Sequence, residues 1–74
     1  MGLSAVETWD KLRRKTGEVT WAMARASMAA YEASCHHDLD AMRAAQARAS
    51  RLQAARVRLI RASGVWLGRA LNEE

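Results

Sequence analysis

An all-α fold is predicted, an antiparallel two-helix hairpin of coiled-coil type that self-associates into a helical bundle, and three observations carry that prediction. The chain of 74 residues holds 16 alanines and no proline, a composition that favours long uninterrupted helices. Its small and apolar residues recur at alternating steps of three and four, the spacing of a helix with one buried stripe. The stripe in the second half of the chain is the first one run backwards, as two helices folded against each other require.

Seventy-four residues make a single domain, 1–74, and in chains this short one core usually supplies only about 3 to 5 kcal/mol. The core material is thin: there is no Phe, and Leu, Ile and Val together make 12 of the 74 residues. Alanine helices bury little area each, so a lone hairpin is expected to be marginal and to draw stability from oligomerisation or a partner. The longest uncharged run inside the second helix is Ala62 to Gly68, far below the roughly 20 residues needed to cross a bilayer. Glu7 and Asp10 interrupt the region where a secretory leader needs an apolar run. A single cysteine precludes an intrachain disulfide and fits a reducing compartment. The expected location is cytoplasmic, or inside a virus particle.

The first helix is expected over residues 4–33. Ser4 is a candidate N-cap, and Glu7 three residues later has capping-box spacing. The stripe is Ala5, Trp9, Leu12, Thr16, Val19, Met23, Ala26, Ala30 and Ala33. Gly17 costs about 1 kcal/mol in a helix interior, yet the stripe keeps its phase across it, so one helix is expected. Residues 34–40, Ser-Cys-His-His-Asp-Leu-Asp, break the alanine pattern and offer Ser34 and Asp38 as caps; a turn belongs there. The second helix, 41–71, carries Met42, Ala45, Ala49, Leu52, Arg56, Leu59, Ser63, Trp66 and Ala70.

Pairing the two stripes about the turn gives layers whose residue numbers always sum to 75. Ala5 meets Ala70, Trp9 meets Trp66, Thr16 meets Leu59, Met23 meets Leu52, and Ala26 meets Ala49, without a slip. The Trp9–Trp66 layer is expected to dominate the stability of the open end. Arg56 falls in the stripe opposite Val19. A buried unpaired charge there would be costly, so its stem is expected to pack while its guanidinium snorkels to water or reaches Glu18, fixing register.

Each helix also carries a second apolar stripe that the hairpin leaves uncovered. In the first it is Gly17, Trp21, Ala24, Met28 and Tyr31; in the second, Val57, Ile60, Gly64, Leu67 and Leu71. Exposed patches of this kind mark interaction sites. Trp21, Met28, Tyr31, Val57, Ile60, Leu67 and Leu71 are therefore the expected oligomer or partner interface, and an antiparallel dimer forming a four-helix bundle is the simplest closed assembly. The Gly64–Gly68 spacing would permit close helix approach beside Trp66.

Chemistry concentrates in charge rather than in catalytic groups. From Ala41 to Leu71 there are seven arginines and no acid, six of them within an arc of about 140° on a helical wheel. The first helix adds the basic run Lys11, Arg13, Arg14 and Lys15, and the sum rule sets Arg14 level with Arg61. Lys11, Arg14, Lys15, Arg48, Arg51, Arg58 and Arg61 are the expected nucleic-acid-binding residues, because arginines on a rigid helix suit phosphate oxygens and each phosphate neutralised releases counterions. No aromatics interleave for base stacking and few Asn or Gln are present for base edges, so the expected binding reads the backbone with little sequence preference. An acidic protein surface is the other partner such a face fits. The expected function is that of a small non-enzymatic nucleic-acid-binding protein, of the kind a phage, plasmid or nucleoid employs. The alternative is a structural or adaptor subunit of a larger assembly, such as a virion component, docking through the apolar stripes.

Cys35, His36 and His37 are ligand types for a metal, but adjacent ligands rarely wrap one ion and the second pair typical of structural zinc sites is missing. No metal site or cofactor is expected. The same residues do not make a Cys/His nucleophile pair, since a hairpin tip offers no enclosed pocket and no oxyanion donors.

Overall fold

In the computed structural model, which describes residues 4–72, two α-helices stand side by side in a rod with extents of 55 × 19 × 14 Å. Helix α1 spans Ala5–Cys35 and α2 spans Leu39–Asn72, packed against each other along their length. This is the antiparallel hairpin. Helix α1 starts where expected. Ser4 adopts an extended backbone and its Oγ accepts the Glu7 N–H at 3.1 Å, satisfying one of the unpaired donors of the first turn. The lead-in residues before Ser4 lie outside the described residues.

The turn is shorter than the 34–40 segment expected, because its polar residues act as caps instead of filling a loop. Helix α1 continues to Cys35 and closes in a Schellman motif, with the Asp38 N–H donating to the Ala33 carbonyl at 2.9 Å and the His37 N–H to the Ser34 carbonyl at 3.1 Å. Asp38 then serves the next helix: its Oδ1 accepts the Ala41 N–H at 3.1 Å and its carbonyl accepts the Met42 N–H at 3.0 Å. One residue thus ends α1 and caps α2, which draws Leu39 and Asp40 into α2. Ser34, the other expected cap, acts only through its carbonyl.

His37 takes the left-handed position of the motif, at φ 55°. A side chain there costs roughly 1 to 2 kcal/mol that glycine avoids. His37→Gly is therefore expected to stabilise the hairpin by about 0.5 to 1 kcal/mol and raise its melting temperature by a few degrees, read as a thermal melt at fixed chain concentration. A fall in melting temperature would show that the imidazole contributes more than the backbone strain removes.

The predicted stripes are the observed seam, and all eighteen of their residues are buried or half-buried. Among the described residues, only Ala5, Ala26 and Ala70 are fully buried, at 3, 5 and 6% exposure. Among the described residues no side chain larger than alanine is sealed from water. The polar seam positions satisfy their own groups locally: Thr16 Oγ1 donates to the Leu12 carbonyl and Ser63 Oγ to the Leu59 carbonyl, both at 2.8 Å.

Arg56 occupies the seam half-buried, but its partner is not Glu18. Its Nε donates to Thr20 Oγ1 at 2.9 Å, while the Thr20 hydroxyl donates its proton to the Thr16 carbonyl at 2.8 Å. Thr20 can accept because its proton is already committed. Glu18 instead lies 3.5 Å from Lys15 on the surface. At the open end Trp9 and Trp66 are half-buried, each with an arginine over its ring, Arg13 at 5.5 Å and Arg69 at 4.6 Å from the ring centre. Built at Gly64 or Gly68, a β-carbon would meet nothing within 4 Å. The close approach suggested by their spacing is therefore not made within the hairpin, since both lie off the seam.

Candidate functional site

With the seam identified by burial, helical periodicity assigns every other position to a flank or to the back of its helix. Lys11, Lys15 and Arg25 on α1 and Arg48, Arg51, Arg58 and Arg69 on α2 form rows beside the seam. A groove shows that these two rows share one flank: Ala22, Arg25 and Ala29 line it from α1, Ala44 and Arg48 from α2, with seam residues Ala26 and Ala45 at its floor. The same flank holds two carboxylates, Glu18 and Glu32. Seven cations against two acids on a surface about 50 Å long is the strongest concentration of charge among the described residues.

Five of the seven residues expected to bind nucleic acid lie on this flank: Lys11, Lys15, Arg48, Arg51 and Arg58. Arg14 and Arg61 do not. They are level with each other along the rod, but each projects from the back of its own helix, facing away from the other. Arg14 is also committed locally, 3.0 Å from an Asp10 carboxylate oxygen, with Arg13 at 3.2 Å from the other. On the flank itself, Lys15 is 3.5 Å from Glu18. Among the described residues Lys11, Arg25, Arg48, Arg51, Arg58 and Arg69 make no ion pair. All six are exposed.

Arg25 and Arg69 join the face without having been singled out from the sequence. Arg25 carried a usable signal, since it stands two heptads after Lys11 and one after Glu18, on the same face of α1. Arg69 is drawn toward Trp66 by its ring contact and serves the open end as well as the flank.

The apolar candidates fall in two places. Trp21 and Met28 lie on the back of α1 with Tyr31 beside them, 71, 71 and 75% exposed. On α2, Val57, Ile60, Leu67 and Leu71 lie on the flank opposite the basic one. Val57 is half-buried there, and Ile60 and Leu67 are only moderately exposed, at 44 and 40%. The two stripes are thus separate patches. A shallow hollow of about 420 Å³ between Met28 and Tyr31, edged by Ser27 and Glu32, marks the first.

At the tip Cys35, His36 and His37 are exposed, and among the described residues no three His, Cys, Asp or Glu side chains converge on a common point. Neither hollow brings together an acid, a base and a nucleophile. Among the described residues no helix is long and apolar enough to cross a membrane. No protein-family model, no curated protein and no solved structure matches this chain.

Proposed function

We propose that this protein is a small, non-enzymatic nucleic-acid-binding protein that holds the sugar-phosphate backbone on its basic flank, with little preference for sequence. One observation carries the reading: Lys11, Lys15, Arg25, Arg48, Arg51, Arg58 and Arg69 line one side of the rod with, among the described residues, only Glu18 and Glu32 beside them. Arginines held by a helix present planar donors that match phosphate oxygens in pairs. The flank offers alanine rather than aromatic rings between its cations, so it suits backbones and not stacked bases. Such a role fits the cytoplasm or the inside of a virus particle, where nucleic acid is at hand.

The working form is a homo-oligomer. The hairpin exposes 5762 Å², against about 4500 Å² for a folded monomer of its mass. An excess of roughly 1200 Å² per chain is enough for a stable interface, and the Trp21–Met28–Tyr31 and Ile60–Leu67–Leu71 patches would supply its apolar centre. A second reading, an adaptor subunit that docks those patches on a larger protein assembly, is favoured by the strong exposure of Trp21, Met28 and Tyr31.

The two readings part in their response to salt. Binding to labelled duplex and single-stranded nucleic acid should weaken steeply with salt, with a log–log slope near −0.9 per phosphate engaged on a duplex, while apolar docking should survive. Arg58→Gln should reduce the slope and Arg61→Gln, on the back of α2, should leave it unchanged. Absence of binding by the parent chain at low salt, together with a stable oligomer, would leave only the adaptor.

A further inference from the structure

We infer that the alanine-floored groove between Arg25 and Arg48 seats one phosphodiester of a nucleic-acid backbone, an inference that rests on the proposed function and adds a specific site to it. The groove lies where alanine layers leave no bulk between the helices, and Ala26 in its lining is one of three fully buried residues among those described. It is a shallow hollow of about 380 Å³, open to solvent. Each helix contributes one arginine to its lining, Arg25 from α1 and Arg48 from α2, and neither is engaged by a carboxylate among the described residues.

That arrangement differs from a row of arginines on a convex helix. A phosphate lying on one helix meets donors from a single side, whereas here each helix contributes an arginine to the lining of one concave groove, and charge-assisted bonds from guanidinium to phosphate are the strong ones. The side chains between the two arginines are alanines, so the lining carries no acidic side chain that would repel the anion. A ribose or deoxyribose attached to the phosphate would lie its carbon face on those methyls, burying apolar area without reading the base. Arg51, one turn beyond Arg48, is placed for the next phosphate along the strand.

The inference separates from a diffuse field in a filling experiment on the full chain, with labelled duplex and single strand as probes at low salt. Ala44→Leu leaves the charge unchanged and changes an exposed position outside the seam, so a seat predicts at least a fivefold loss of affinity and a diffuse field predicts none. Ala29→Leu fills the groove from the other helix and should act alike, which guards against a folding defect in either variant. Arg25→Gln should cost several times more than Arg43→Gln, which removes the same charge from the opposite flank. The Arg25→Gln/Arg48→Gln pair should fall short of the product of the single effects. If both leucine variants bind as the parent does and Arg25→Gln equals Arg43→Gln, the seat is overturned while backbone binding stands. If the parent binds neither probe, both fail.

Discussion

Trp66→Ala is expected to remove most of the stability of the hairpin. The side chain is half-buried in the layer it shares with Trp9, and Arg69 covers its ring at 4.6 Å. Truncating a large aromatic costs about 3 to 5 kcal/mol when it is fully buried, so roughly 2 to 3 kcal/mol is expected for one that is half-covered. A domain of this size has only about 3 to 5 kcal/mol in total, and nothing else in the seam compensates, since its only sealed side chains among the described residues are three alanines. The melting temperature should fall by more than 10 °C at about 5 °C per kcal/mol, measured by circular dichroism at fixed chain concentration. Trp21→Ala is the matched control: on the back of α1 it touches no seam, so its effect should be small at low concentration and appear only where chains associate. Equal losses for the two variants at low concentration would mean that the open-end layer does not hold the hairpin.

The second large effect concerns charge. Converting Arg48, Arg51 and Arg58 together to glutamine should weaken nucleic-acid binding by about two orders of magnitude near 0.1 M salt, at about 1 kcal/mol for each arginine–phosphate pairing removed. The salt slope should become shallower by up to about 2.7 units if all three engage a duplex backbone. Helicity should be unaffected, because all three side chains are exposed and none forms an ion pair among the described residues. The companion triple of Arg13, Arg14 and Arg43 removes the same charge from the backs and the other flank, and should cost far less. Equal losses for the two triples would show that net charge, and not the flank, governs binding.

Periodicity alone determined the fold of this protein. A spacing of three and four marks which residues of a helix face inward, and two stripes of mirrored spacing can be satisfied together only by folding back, so the seam was legible residue by residue from Ala5 to Ala70. The N-cap at Ser4 was legible for the same reason, being a local rule between residues three apart. The turn narrowed for an equally local reason, Asp38 closing α1 through its N–H and capping α2 through its side chain within five residues on either side. Three features were decided only by tertiary structure. Arg56 took Thr20 instead of Glu18, because a hydroxyl already donating to its own helix sits at the right height in the seam and the carboxylate does not. The basic flank leaves out Arg14 and Arg61 and takes in Arg25 and Arg69: residue numbers summing to 75 set the level along the rod, while the make-up of a shared face depends on which flank of α1 lies beside which flank of α2. The groove between Arg25 and Arg48 belongs to neither helix by itself. It exists because alanine side chains let two helices approach without filling the space beside their seam, and concavity of that kind is a property of the pair.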